Sequence, residues 1–188
     1  MPILSMSHHY DFHFVYEVYV PIMYILMTAK TQALYWHAFS QLVVLSKWKL
    51  NVNTFTSDFK RALMNAAKHH MPEGLHVGCL FHLKQAWRRY LITQLGFLAG
   101  EIALAMTIGV LDLLSVIPKD EVEEYGIPFV RSVIEATLNK KDIAKWAKFW
   151  KYFKKQWMPI LDSCNISDIV EDIHNRTNNG LESYNRRC

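Results

Sequence analysis

The sequence predicts a mixed α/β fold in its first half and an all-helical arrangement in its second. Up to about residue 95, segments rich in β-branched and aromatic residues alternate with segments whose apolar residues recur at helical spacing. Beyond Gly96 the strand patterns stop and only helical patterns remain. With 188 residues, 51% of them hydrophobic and 20% charged, the chain can form one ordinary folded core.

The first half is predicted to follow the order β-β-α-β-α-β-α. Residues 14–27 favour two short strands that meet at Pro21, because proline cannot donate to a strand ladder. Residues 31–47 predict a helix that Thr31 can cap. Residues 51–57 and 75–80 favour strands, each followed by a helix: the first ends near His70 and the second begins near His82.

The second half is predicted to contain three helices and a polar end. Residues 97–114, 121–137 and 141–157 carry helical patterns, separated by short polar or proline-containing breaks. Residues 163–171 are irregular, and residues 178–187 favour a last helix capped by an asparagine.

Charge and cysteine content narrow the classes of protein only slightly. A net charge of +4 and a pI near 8.9 allow contact with DNA or an anionic surface without requiring either. Three widely spaced cysteines favour a reducing compartment over a disulfide framework. The apolar stretch 102–111 is too short to span a bilayer, so no membrane association is expected.

Asp58 is the first candidate for chemistry, since it follows a predicted strand directly. A carboxylate at a strand end, together with a second acid, can hold the divalent cations that drive phosphoryl transfer. An aspartate just before a helix is also a common helix cap, and the spacing alone leaves both interpretations open.

Cys79 and His82 form a second candidate. Two ligands three positions apart at a strand-to-helix junction can face one zinc ion. The alternative is a small buried cysteine beside the first residue of a helix.

The third candidate is the helix predicted over 141–157. One face carries apolar residues and the other carries lysines, among them Lys148 and Lys151. Such a helix can turn its aromatic side to the core and its basic side to solvent, to DNA phosphates or to a membrane interface. The apolar face comprises Ile143, Trp146, Ala147, Trp150, Phe153 and Trp157.

Four stretches in this order resemble the MULE (Mutator-like element) transposase domain: YVPIMYILMTAKT at 19–31, TSDFKRAL at 56–63, GCLFHLKQA at 78–86 and NNGLESYN at 178–185. The resemblance implies a ribonuclease H-like mixed sheet with a helical insertion before the last catalytic helix. It implies an Asp-Asp-Glu triad in which Asp58 is the second acid and Glu182 the third, with Mg²⁺ or Mn²⁺ as cofactor. Cys79 and His82 match the CxxH pair of the family, which implies a structural or zinc-binding role.

The departure from the family lies at the front of the chain. No Asp-Gly-Thr-Phe-like motif is present, and Asp11 is the only aspartate before Asp58. We therefore expect the first strand and the first catalytic acid to be missing. The expected regions are a ribonuclease H-like core at 1–95, a helical insertion at 96–162, and a return segment with the catalytic helix at 163–188.

The function implied by this resemblance is metal-dependent cleavage and strand transfer of transposon DNA in the nucleus, with a homo-oligomer as a further expectation. Without its first acid, the chain alone is expected to be inactive. The alternatives are a DNA-binding protein derived from a transposase and a remnant without function. The basic residues expected to contact DNA are Arg88, Arg89, Lys148, Lys151, Arg186 and Arg187.

Overall fold

A computed structural model describes residues 23–47, 51–136 and 138–169. These residues form a mixed α/β structure that is mostly helical and contains a two-stranded parallel sheet. They divide into two compact units, one ending at Cys79 and the other beginning at Leu80. Among the helices described, none is long and apolar enough to cross a membrane.

The first unit begins its regular structure with helix α1, Gln32–Leu45. Thr31 caps this helix as predicted, since its hydroxyl accepts a hydrogen bond from the Leu34 amide at 3.3 Å. Tyr35, Phe39 and Leu42 lie one turn apart on the same face and are buried. This face therefore forms one wall of the core of the first unit.

The sheet of the first unit is a β-α-β crossover. Strand β1, Thr54–Ser57, leads through helix α2, Arg61–His70, to strand β2, Leu75–Gly78. The strands are parallel, in a register that pairs Thr54 with Leu75 and Ser57 with Gly78. The carboxyl ends of both strands therefore lie at the same edge of the sheet.

Small side chains let α2 pack closely against α1. Ala66 and Ala67 are almost completely buried, next to Leu63 on the same face of α2. Phe55 on β1 contributes to the same core cluster. The pairing of two strands, which could not hold its shape alone, is thus stabilised by two helices.

The strand predicted up to residue 27 is not formed in its described part. Residues 23–27 alternate between half-buried and exposed, and Met23 and Met27 pack against the core cluster. The alternation that suggested a strand is therefore real, but within the described residues no neighbouring strand pairs with this segment. A strand requires such a partner for its backbone hydrogen bonds.

The regular elements in the described part of the second unit are all helices or helical turns. Its elements are α3, Leu80–Arg89, which continues as a π-helical turn, Tyr90–Gln94; α4, Ala103–Met106; a 3₁₀ turn, Leu111–Ser115; a π-helical turn, Val122–Gly126, that leads into α5, Ile127–Glu135; α6, Lys140–Gln156; a 3₁₀ turn, Met158–Ile160; and α7, Leu161–Cys164.

The continuous helix predicted over 97–114 was wrong. Only α4 and the following 3₁₀ turn are helical there, and glycines separate the pieces. Gly96 and Gly109 have φ angles of 66° and 85°, which a right-handed helix cannot contain. The apolar composition reflects burial of single residues such as Phe97 and Ile102 rather than one helical face.

Helix α6 was predicted to within one residue at either end. Asn139 caps it, because its side-chain oxygen accepts a hydrogen bond from the Asp142 amide at 3.0 Å. Trp146, Trp150 and Phe153 are buried as predicted, and Phe149 joins them. Trp87 on α3 packs on the same aromatic cluster, with its ring centre 5.9 Å from that of Phe153.

Candidate functional site

Asp58 lies at the carboxyl edge of the parallel sheet in the first unit. It follows Ser57, the last residue of β1, and two residues separate it from the start of α2 at Arg61. Its side chain remains 26% exposed, so solutes can reach the carboxylate. In open α/β sheets this edge is where ligands usually bind, because the loops that leave the strands diverge there.

Lys60 holds both oxygens of the Asp58 carboxylate. The backbone amide of Lys60 donates to Oδ1 at 3.0 Å, and its ammonium group donates to Oδ2 at 3.1 Å. The residue at the N-cap position of α2 is Lys60, so Asp58 shapes the turn before the helix instead of capping it. The ammonium group shows that this carboxylate already binds a cation.

The Tyr35 hydroxyl lies within electrostatic reach of this ion pair. Tyr35 is only 2% exposed, and among the residues that the structure describes its buried hydroxyl has no hydrogen-bond partner. Burial raises its pKa, the charge of Lys60 opposes that rise, and the charge of Asp58 adds to it. Burial also lowers the pKa of Lys60, but its hydrogen bond and charge interaction with Asp58 prevail and raise it.

Ser57 and His76 lie next to Asp58 at the same edge of the sheet. The Ser57 hydroxyl donates to the Asp58 carbonyl oxygen at 2.8 Å and lies 2.7 Å from His76 Nε2. Since the hydroxyl has one hydrogen, His76 must donate from Nε2. Burial lowers the pKa of His76 to about 4, against a smaller opposite effect of the Asp58 charge. His76 is therefore neutral near pH 7.

Cys79 and His82 fall on either side of the division between the two units. Cys79 is fully buried directly after β2, and its amide donates to the Ser57 carbonyl at 2.9 Å. His82 lies in the first turn of α3, half-buried, with its ring edge-on to Phe81. A metal-binding role for the CxxH pair stays a prediction.

The basic residues predicted to contact DNA are exposed where the structure describes them. Arg88 and Arg89 end α3, and the Arg89 guanidinium donates to Gln85 Oε1 at 3.3 Å. Lys148 and Lys151 point away from the buried aromatic face of α6. These two helices meet through Trp87 and Phe153, so both basic pairs belong to the surface of one unit.

The remaining predicted site residues, Glu182, Arg186 and Arg187, lie outside the described residues. In the portions of the chain that are described, no group of three or more His, Cys, Asp or Glu side chains is placed to hold a metal ion. The Mg²⁺ or Mn²⁺ site implied by the resemblance therefore has one described acid, Asp58.

Tyr35, Lys60 and His76 are the neighbours of Asp58 that the sequence did not reveal. The helical pattern predicts Tyr35 as a core residue of α1, and no local pattern links it to Asp58, 23 positions later. Lys60 alone carried a signal, because an aspartate commonly accepts a hydrogen bond from the amide two residues on.

Comparison with known proteins supports the resemblance. Residues 13–86 match the family model described as the MULE transposase domain. The matched segment is less than half of the chain, and it contains Asp58, Cys79 and His82. It ends before the stretch that carries Glu182. Searches of the curated proteins and of the solved structures each gave no significant match. The match indicates a transposase-related function.

Proposed function

We propose that this chain is a MULE-type transposase domain with a ribonuclease H-like fold, in which Asp58 and Glu182 bind divalent metal ions at the site of DNA cleavage. The family match over residues 13–86 supports the proposal. On this proposal the partner is transposon DNA, the cofactor is Mg²⁺ or Mn²⁺, and the protein works in the nucleus. Assembly into a homo-oligomer and zinc at the CxxH pair belong to the same proposal.

The observation that carries the proposal is the position of Asp58. Its carboxylate follows a strand of a parallel β-α-β unit and stands at the edge where both strands end. A ligand can reach an acid in that position without any helix or strand having to unfold. The helix that follows begins three residues later, at Arg61, so the backbone on both sides of Asp58 is fixed.

The chemistry around Asp58 suits a cation. The carboxylate is partly exposed and already pairs with the Lys60 ammonium, which can move aside because its own side chain is 44% exposed. A bound divalent ion would supply charge to activate the attacking oxygen and stabilise the leaving one. Asp58 would be one of its ligands, and hard cations prefer such oxygen donors.

We predict that these 188 residues alone do not cleave DNA. The sequence contains no Asp-Gly-Thr-Phe-like motif to provide the first acid, and a two-metal site needs that negative charge. The measurement is incubation of the chain and of Asp58→Ala with plasmid DNA and Mg²⁺ or Mn²⁺. We expect no nicking by either protein. Nicking by the parent chain that disappears in Asp58→Ala would contradict the predicted inactivity and would identify Asp58 as essential.

A second candidate function is DNA binding without cleavage, and the exposed lysines of α6 favour it. Because the aromatic face of α6 is buried, Lys148 and Lys151 remain available to phosphates. Lys154 on the same helix instead forms an ion pair with Glu123, at 2.7 Å.

This difference between lysines gives a matched test of DNA binding. Removing Lys148 and Lys151 together should weaken duplex binding and reduce the slope of log affinity against log salt by about two. Lys154→Ala should change that slope less, because Glu123 already neutralises this charge. Fluorescence anisotropy of a labelled duplex over a salt series measures both. An unchanged slope in the double variant would exclude α6 as the contact, and absence of binding at low salt would exclude the function.

A further inference from the structure

Trp36 is much more exposed to solvent than the other tryptophans that the structure describes. It is 40% exposed, whereas Trp87, Trp146, Trp150 and Trp157 are each at most 5% exposed. It lies in the second turn of α1, beside the face that buries Tyr35 and Phe39. The exposed part of this indole is a flat aromatic surface that the core does not cover.

Histidine rings surround this indole. Its ring centre is 5.4 Å from that of His37, 6.0 Å from that of His69 and 5.2 Å from that of His70. His37 and His69 are exposed, so the aromatic group faces solvent from both α1 and α2.

His70 fixes the base of this aromatic group. Its Nδ1 donates to the Ala66 carbonyl at 2.9 Å, because a carbonyl oxygen only accepts. Its Nε2 then accepts from the Ser40 hydroxyl at 2.9 Å. The first bond fixes the His70 ring on its own helix, and the second joins α2 to α1 one turn from Trp36, so the exposed rings have a preorganised support.

The charge of the two helices is also one-sided. Neither Gln32–Leu45 nor Arg61–His70 contains an aspartate or a glutamate, while α2 carries Arg61 and Lys68, both exposed. Exposed flat rings beside cations, without an acid on either helix, complement a polyanion with flat apolar groups. Unpaired nucleotides have this chemistry, since bases stack on aromatic side chains while phosphates attract lysine and arginine. In a duplex the base faces are covered by their neighbours.

We propose that Trp36, with His37 and His69, forms a stacking platform for the unpaired bases of single-stranded DNA. The proposal rests on the transposase function above and adds to it a form of DNA that the platform recognises. Trp36 and His69 provide the stacking surfaces, and Lys68 attracts the backbone. The platform belongs to the first unit, which also holds Asp58.

The test compares a single strand with a duplex on the full chain. Fluorescein-labelled oligothymidylate, alone or paired with oligoadenylate, is titrated at low salt and followed by anisotropy. Trp36→Ala should weaken binding of the single strand roughly tenfold and change duplex binding less than about twofold. Trp36→Phe should restore most of the affinity, since it keeps a ring. Phe81→Ala, which removes an exposed ring of the second unit, should leave single-strand binding within about twofold.

A second variant tests the platform independently, in case Trp36→Ala does not fold. His69→Ala removes an exposed ring without touching the core and should also weaken single-strand binding selectively. Single-strand affinity that is unchanged in either of these correctly folded variants overturns the platform, as does an equal loss for both forms of DNA. A change in oligomeric state in Trp36→Ala, measured by sedimentation, would show a contact between copies instead. If the parent chain binds DNA but Trp36→Ala binds the single strand and the duplex as the parent does, only this inference fails. If the parent chain binds no DNA at all, the proposed function fails too.

Discussion

At the scale of single residues, the environment of Asp58 combines charges with neutral polar groups that are buried or half-buried. The carboxylate is held by Lys60, while the adjacent Ser57 hydroxyl and His76 imidazole are bonded to each other. A neutral histidine beside the carboxylate leaves Lys60 as its one cationic partner among the described hydrogen bonds. The net charge at this sheet edge therefore depends on where Lys60 sits.

His76 should make stability depend on pH. Its pKa is about 4 in the folded chain and about 6.5 when unfolded, because burial disfavours the charged form. Between these values the unfolded chain binds more protons, so stability is complete above pH 6.5 and is lost as the pH falls through that window. The loss should reach at most about 3 kcal/mol.

Urea unfolding between pH 7 and pH 4 measures this effect. Other groups also titrate in the range, so the informative quantity is the difference between the parent and His76→Gln. The variant should lose less stability on acidification, because its amide does not titrate. Parallel pH profiles for the two proteins would contradict a half-buried His76 that stays neutral in the folded chain.

At the scale of elements, the sequence predicted whatever depends on neighbours along the chain. The Thr31 cap and the aromatic face of α6 are local patterns, and the structure confirms them. The strand predicted up to residue 27 required a neighbouring strand to pair with. The continuous helix over 97–114 required its glycines to adopt right-handed helical backbone angles. Neither condition can be read from hydrophobic spacing, which reports burial without reporting the backbone path.

The glycines of the broken segment provide a matched pair for testing that explanation. Gly109 has a φ of 85°, whereas Gly100 does not adopt a left-handed conformation, and a Cβ at either position would meet nothing within 4 Å. Crowding is thus absent at both. Gly109→Ala should lose about 1 kcal/mol of unfolding free energy through backbone strain, and Gly100→Ala should be neutral or slightly stabilising. Equal stabilities of the two variants in urea unfolding would show that φ at Gly109 does not matter.

At the scale of the whole molecule, the position of Asp58 was predictable and its surroundings were not. A strand pattern followed by an acid is contiguous in sequence, so it can be recognised before folding. Tyr35 and His76 come to the same edge only because α1 and β2 pack against β1 and α2, and such contacts join residues distant in sequence. The predicted division into regions 1–95, 96–162 and 163–188 stays a prediction, as does the role of Glu182.

Two separate cores should make the chain respond locally to cavities. Leu63 lies in the core cluster of the first unit, and Phe149 lies among the buried aromatics of the second. Leu63→Ala should cost about 2–5 kcal/mol and Phe149→Ala about 3–5 kcal/mol, from lost burial and the cavity left behind. Because packing acts at contact distance, each loss should speed amide exchange first within its own unit.

Hydrogen exchange resolved by segment distinguishes the two responses. Leu63→Ala should accelerate exchange in α1 and α2 more than in α6, and Phe149→Ala should do the reverse. Lys148→Ala, one residue from Phe149 but exposed, should leave exchange in both units close to that of the parent. Uniform acceleration across all helices in both core variants would mean that the chain opens as one cooperative body. In that case Asp58 would depend for its geometry on the helical unit as much as on its own sheet.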